Sequence, residues 1–171
     1  MHRRHAVALL VLVALALAIA GCGSNSYDAG KVESFLSKSQ AGKVRGLKLG
    51  AATCPKDVKL TEGVRFRCTL MIAGVAAPYK VRLTHVDADK VTITAEPAKA
   101  LISTQAAVDF VTGQLNASAR RRAKVACAKP GVQVIVTAPG TQVGCVVAID
   151  GKQLQAVLVV DDTGGHIHLK R

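Results

Sequence analysis

A cysteine flanked by two glycines at fixed distances occurs twice in this chain. The two copies, offset by 77 residues throughout, are Gly63-x4-Cys68-x5-Gly74 and Gly140-x4-Cys145-x5-Gly151. Before each copy the same features come in the same order: a helix-like segment, a further cysteine and a turn that contains Pro and Gly. Self-similarity at a fixed offset indicates a duplicated structural unit. We therefore predict two tandem small domains, at residues 28–101 and 102–171.

Hydrophobic periodicity assigns the same elements to both domains. One segment in each has apolar residues at i, i+3 and i+4, which is typical of one face of a helix. These faces are Val32, Phe35 and Leu36 in the first domain, and Ala107, Phe110, Val111 and Leu115 in the second. Later segments alternate apolar and polar residues, as half-buried strands do. We predict an α+β fold in which one helix of each domain packs on a roughly four-stranded antiparallel meander.

The alternation also predicts which strand residues face each core. In the first domain they are Val64, Phe66, Cys68, Leu70, Tyr79, Val81, Leu83, Val91, Ile93 and Ala95. In the second they are Val143, Cys145, Val147, Leu154, Ala156, Leu158, Val160, Ile167 and Leu169. The dipeptide Asp150-Gly151 predicts a tight hairpin turn between two of these strands.

The N-terminus has the three parts of a bacterial lipoprotein signal. A basic stretch ends at His5, an apolar run covers residues 6–20, and Ile19-Ala20-Gly21-Cys22 resembles a lipobox. The apolar run of 15 residues is shorter than the approximately 20 that cross a bilayer. We predict a signal peptide at 1–21, a lipid on Cys22, a tether at 22–27 and a location on the extracytoplasmic face of the cell membrane. The alternatives are an uncleaved anchor or an ordinary secretory signal.

The chain has five cysteines, so assigning Cys22 to a lipid leaves an even set of four. In an oxidising compartment these predict two disulfides, for which three connectivities exist. The repeat favours pairing within each copy, Cys54 with Cys68 and Cys127 with Cys145. Zinc is the competing use, but zinc sites favour close pairs such as C-x2-C, which the sequence lacks. We predict no metal and no cofactor.

The charge balance suggests anionic neighbours. The formal net charge is +12, and removal of Arg3 and Arg4 with the signal leaves +10. Besides the membrane that holds the N-terminal lipid, this charge favours anionic lipid, wall polymers or an acidic envelope protein as partners. Aromatic residues make up 3% and Trp is absent, so the stacking platforms of single-strand binders are scarce. We predict no nucleic acid partner.

The residues of the first copy suggest a family. Cys54-Pro55, Gly63, Phe66-Arg67-Cys68 and Gly74 follow a short helix, and this order resembles a small domain of unknown function in actinobacterial secreted proteins and lipoproteins. Its motif is C-P…G…C…G. The resemblance implies an envelope location and paired cysteines, and brings no known activity. The second copy departs from it, because Ala128 stands in the proline position and four more residues separate its cysteines.

Two groups of histidines and acidic residues are the candidates for chemistry. They are His166 and His168 with Asp161 and Asp162, and His85 with Asp87 and Asp89. Histidines at i and i+2 of a strand share one face and could bind a metal, although a solvated edge strand has the same pattern. No nucleophile elbow frames any serine. We therefore predict no catalytic residues.

Three functional hypotheses follow from these features. The leading one is a non-enzymatic, lipid-anchored envelope protein whose two domains bind an unidentified ligand. The second is a metal-dependent or hydrolytic enzyme that uses His166 and His168. The third is a carrier that holds a small apolar molecule between helix and sheet, suggested by the many small Ala and Val side chains.

Overall fold

The computed structural model describes residues 28–44, 46–87, 90–115 and 122–170. The predicted signal peptide, Cys22 and the tether lie outside these residues. In chain order the elements are α1 (Ala29–Ala41), β1 (Leu49–Thr53), β2 (Arg65–Ile72), β3 (Val75–Val86), β4 (Val91–Pro97), β5 (Ala100–Ser103), α2 (Thr104–Gln114), β6 (Lys124–Ala126), β7 (Val134–Thr137), β8 (Gln142–Ile149), β9 (Lys152–Val160) and β10 (Ile167–Leu169). No helix in these four ranges is long and apolar enough to cross a membrane.

Helix α1 packs against a four-stranded antiparallel sheet with the order β1-β2-β3-β4. The helix begins at Asp28, whose carboxylate accepts from the Lys31 backbone N–H at 3.3 Å. Its buried stripe consists of Val32, Leu36 and Gln40. The stripe therefore repeats every four residues and is narrower than predicted. The prediction that Phe35 is buried is wrong, because this ring lies beside the stripe and is 39% exposed.

A second four-stranded antiparallel sheet has the order β10-β9-β8-β6. The predicted α+β class, with two helices and antiparallel sheets, is confirmed. The second sheet differs from a simple meander because β7 leaves it and pairs with β5 instead. Ala107 and Val111 of α2 are buried in the core beside this sheet.

Two hairpins of the chain have the same register at an offset of 77 residues. Strands β2 and β3 share eight opposed residue pairs, from Arg65–Arg82 to Ile72–Val75. Strands β8 and β9 share eight pairs at the corresponding positions, from Gln142–Val159 to Ile149–Lys152. Both hairpins also turn alike, since the two turn residues of each have positive φ, as a type I′ turn requires.

The first glycine of each repeated motif forms a bulge. The Gly63 N–H donates to Leu83 O at 2.7 Å, and Leu83 N–H donates to Val64 O, so that two residues face one. Gly140 and Val160 repeat this bond at 2.7 Å. The bulge glycines have φ of 84° and 80°, a conformation that other residues rarely adopt. In each copy of the repeated motif, the first glycine forms a bulge, the cysteine forms a disulfide and the second glycine lies in a tight turn.

Strands β5 and β7 form a two-stranded ribbon between two hydrophobic cores. Leu101, Val134 and Val136 belong to the core beneath α1. Ile102 and Ile135, which are the alternating neighbours, belong to the core beside α2. Because side chains alternate along a strand, each face of the ribbon serves a different core. The predicted boundary between residues 101 and 102 falls inside β5.

Two strand residues predicted to be buried are exposed. Val91 is 39% and Leu154 is 58% exposed. Strand β3 continues beyond its last pair with β2, so Val91 on β4 lies where only two strands remain. Leu154 is similar, since β10 pairs only with residues 158–160 of β9 and leaves this end as an edge. Alternation identifies the face of a strand, but not where its neighbours end.

Candidate functional site

Both predicted disulfides are present. Cys54 follows β1 and is bonded to Cys68 on β2, and Cys127 follows β6 and is bonded to Cys145 on β8. All four cysteines are buried. The bonds tie the first strand of each sheet to its neighbour, and they remove these thiols from metal binding or nucleophilic chemistry. Of the five cysteines only Cys22 is left, and it lies outside the described residues.

The structure brings His166 and His168 together with different carboxylates. His166 Nδ1 lies 2.6 Å from Asp162 Oδ2, and His168 Nδ1 lies 2.6 Å from Asp161 Oδ1. The hydrogen bond with Asp162 raises the pKa of His166 above its ordinary value, and the same bond lowers the pKa of Asp162. All four side chains are exposed. Each histidine is therefore hydrogen-bonded to a carboxylate in contact with solvent, on a strand edge or turn.

His85, the other predicted candidate, also pairs with carboxylates. Its Nε2 lies 2.5 Å from Asp87 Oδ2, and its Nδ1 lies 3.8 Å from Glu62 Oε2. Asp89 lies outside the described residues. Glu62 was not predicted, because the turn that contains it is brought to His85 only by the β2–β3 pairing. No group of three His, Cys, Asp or Glu residues in the described ranges is arranged to hold a metal ion.

The outward surface of the first sheet carries a group of cations that sequence reasoning missed. Arg65 and Arg67 on β2 face Arg82 and Lys80 on β3, pair by pair. All four are exposed, and they line a shallow depression of about 490 Å³ with Glu96, its only carboxylate. None of the four has an ion-pair partner within 4.0 Å among the residues that the structure describes. We call these four cations the basic face.

An open cleft of about 970 Å³ lies where the two cores adjoin. The segment after α1, the ribbon and the start of α2 line it, and Lys43 and Asp109 contribute opposite charges. Ser103 caps α2 by accepting from Ala106 N–H at 3.4 Å. The Thr104 hydroxyl is buried there and has no hydrogen-bond partner among the described residues. The cleft is lined by polar as well as apolar groups, and it lies between the two cores.

Comparison with family models, with curated proteins and with solved structures finds no match to this chain. The case for a function therefore depends on the chain's own residues and on their arrangement. The fold of the described residues gives no role to two features: Cys22, which lies outside the two disulfides, and the basic face.

Proposed function

We propose that this chain is a lipid-anchored protein of the actinobacterial envelope, built from two tandem disulfide-bonded domains, which binds an envelope component and catalyses no reaction. The observation that carries the proposal is the pairing of the cysteines. Cys54–Cys68 and Cys127–Cys145 account for four of the five. The fifth, Cys22, follows the apolar run and the small residues that a lipoprotein signal requires.

The buried disulfides support an extracytoplasmic location. Disulfides persist in oxidising compartments and are rare where thiols are kept reduced. Each bond closes a loop of moderate length, with sequence separations of 14 and 18 residues. Loops of this size are worth about 3 kcal/mol on the chain-entropy account. Domains of about 70 residues commonly need a covalent link of this kind because their cores are small.

The repeated hairpin supports a duplicated binding scaffold. The same register, turn and bulge recur at an offset of 77 residues, whereas the outward residues of the two hairpins differ. A shared backbone with different surfaces is what we expect when a fold is reused to present new contacts. The exposed histidine–aspartate pairs have no hydroxyl or thiol hydrogen-bonded to the rings within the described residues. This arrangement favours binding over nucleophilic chemistry.

Cys22→Ala tests the anchor. We expect the full-length parent protein, expressed in an actinobacterial host, to sediment with membranes, to resist extraction by salt and to dissolve in detergent. The variant has no acceptor thiol, so we expect it in the medium or the salt wash, with both disulfides retained. Ser24→Ala, which changes the adjoining segment and keeps the thiol, is the matched control and should behave as the parent. Detergent-only extraction of a Cys22→Ala chain from which residues 1–21 have been cleaved would contradict the proposed anchor.

A further inference from the structure

The basic face places like charges directly opposite one another. Arg65 faces Arg82 and Arg67 faces Lys80 on neighbouring strands. Opposed residues of an antiparallel pair lie about 5 Å apart, and like charges at that distance are destabilising. The only carboxylate beside them, Glu96, lies opposite Lys80 on β4. Glu96 offsets part of this repulsion at Lys80, but no carboxylate among the residues that line the depression lies opposite the three arginines.

The second sheet shows that the fold does not require these cations. The positions of β8 and β9 that correspond to the basic face, at an offset of 77, are Gln142, Gly144, Val157 and Val159. These residues are uncharged, yet the hairpin keeps the same eight pairs, turn and bulge. Register and folding are thus achieved without cations at these sites. Their presence on the first sheet needs another explanation, and an anionic partner supplies one.

The arrangement of the cations fits a flat partner. Neighbouring strands are about 4.8 Å apart, and residues two apart on a strand are separated by about 7 Å. The four cations therefore form a compact, two-dimensional group on an exposed sheet surface. A planar array of phosphate groups presents charge in the same two dimensions, whereas a single extended polymer presents it along one line.

Helix α1 packs on the inner face of the first sheet, and the cations lie on the outward face. Glu33 Oε1 accepts from the Cys54 N–H at 2.9 Å, and Cys54 is bonded to Cys68, next to Arg67. Five residues lie between Cys22 and Asp28, and the six Cα–Cα steps from one to the other span at most about 20 Å. A chain anchored at Cys22 would hold the start of α1, and the first sheet on which α1 packs, close to the bilayer.

We propose that the basic face docks on an anionic bilayer, with Arg65, Arg67, Lys80 and Arg82 contacting the phosphates of lipid headgroups. The proposal rests on the anchor for its setting, since the lipid on Cys22 supplies a bilayer within reach. The face then orients the anchored protein, sheet surface down, and the bilayer's negative charge relieves the repulsion between the opposed cations. Glu96 opposes this contact, because its carboxylate is repelled by the same surface.

Vesicle binding by a chain without the lipid tests the proposal. The protein is the exported chain from residue 22 with Cys22→Ser; both cores and both disulfides lie within residues 28–170. We expect it to co-sediment with vesicles of phosphatidylcholine and phosphatidylglycerol and not with phosphatidylcholine alone. Added salt should weaken this binding, because exposed charges are screened.

Two variants of equal net charge distinguish binding through the basic face from binding through the overall positive charge of the protein. The basic-face variant is Arg65→Gln, Arg67→Gln, Lys80→Gln and Arg82→Gln. The control removes four exposed lysines elsewhere and is Lys38→Gln, Lys56→Gln, Lys129→Gln and Lys152→Gln. A cation at an anionic surface contributes about fivefold in affinity, so the first variant, which loses four, should bind on the order of several hundredfold more weakly, and the control should lose far less. Glu96→Gln should bind several-fold more tightly.

Thermal unfolding of the same proteins separates docking from a structural role. Removing opposed like charges should leave the unfolding temperature of the basic-face variant unchanged or higher. A clear fall would assign the cations to stability and overturn the proposal. Equal losses of binding in the two quadruple variants would also overturn it, as would binding to a soluble wall polymer without binding to anionic vesicles. The vesicle result does not depend on Cys22, so a failed anchor would leave it intact.

Discussion

A buried polar pair links α1 to the first sheet. The Tyr79 hydroxyl donates to Gln40 Oε1 at 3.3 Å, and Gln40 Nε2 donates to Ser39 Oγ at 3.2 Å. Tyr79 is fully buried and Gln40 is 1% exposed. Buried polar groups are costly unless they are hydrogen-bonded, so the two residues depend on each other. Gln40 is also the buried helix residue that the hydrophobic pattern could not identify, because its side chain is polar.

Tyr79→Phe tests this pair. The variant leaves Gln40 Oε1 buried without its donor, so we expect the free energy of unfolding to fall by about 1–3 kcal/mol. Adding Gln40→Leu removes the stranded acceptor and should recover part of the loss. Urea unfolding of the two variants and the parent measures both effects. A parent-like midpoint for Tyr79→Phe would contradict the role assigned to the bond.

The same variant has a signature in alkaline solution. Burial raises the pKa of Tyr79 to about 12, from 10.0 when unperturbed. Between these pH values the folded state keeps a proton that the unfolded state has lost, so stability falls as pH rises from about 10 to about 12. Tyr79→Phe has no hydroxyl proton to lose at this position. Its free energy of unfolding should therefore fall less between about pH 10 and about pH 12 than that of the parent, as measured by urea unfolding at each pH.

Among the elements, the sequence predicted the local patterns well. The inward faces of β2 and β3 follow from alternation, and the turn at Asp150-Gly151 follows from the preference of this dipeptide for positive φ. Each depends on neighbours within a few residues. The disulfide pairing, although not local, was predictable because the repeat divided four cysteines into two sets.

Other features depended on contacts between distant segments. The β5–β7 ribbon pairs Leu101 with Val136, and no local pattern selects that partner over another short apolar strand. The basic face has the same origin, since the sequence shows two cations on each strand but not the register that opposes them. Leu154 fits the alternating pattern of β9 but is exposed and not buried, because β10 does not extend far enough to cover it.

A turn between β9 and β10 is fixed by a close approach to the ribbon. Gly165 has φ of 87°, and a Cβ at this position would lie 2.8 Å from Leu101 O. Gly74 has a similar φ of 79° but open space around it. A side chain at Gly74 would meet only the cost of positive φ, whereas a side chain at Gly165 would also clash with the backbone of Leu101.

Alanine substitutions at Gly74 and Gly165 test how much the close contact between Gly165 and Leu101 O restricts position 165. Gly74→Ala should lower the free energy of unfolding by about 1 kcal/mol, which is the cost of the left-handed conformation. Gly165→Ala should lose roughly 2 kcal/mol or more, because the β9–β10 turn must also move away from β5. Chemical unfolding of both variants gives the comparison. Equal losses would show that the turn does not depend on contact with the ribbon.

At the scale of the whole molecule, the ribbon of β5 and β7 contributes side chains to both cores. The ribbon contributes Leu101 and Val134 to one core and Ile102 and Ile135 to the other. Each sheet has its own disulfide, so the covalent links strengthen the two parts separately while the ribbon connects them. The position of the open cleft follows from this design, because the ribbon and the start of α2 meet there.

Charge is distributed unequally over this architecture. The first sheet carries the basic face, whereas the four corresponding positions of the second sheet are uncharged. The proposed lipid on Cys22 would hold the charged sheet nearer the bilayer than the second sheet, because α1 of the first sheet begins soon after Cys22. In this account, the orientation of the first sheet toward the membrane depends on whether Cys22 carries a lipid.

Mass spectrometry of the mature protein, purified from an actinobacterial host without reduction, tests that assignment most directly. We predict an N-terminal peptide that begins at Cys22 and carries the mass of a diacylglyceryl group. We also predict two cross-linked peptide pairs, one joining Cys54 to Cys68 and the other Cys127 to Cys145. An N-terminus that retains residues 1–21, or a Cys22 found in a disulfide, would contradict the account.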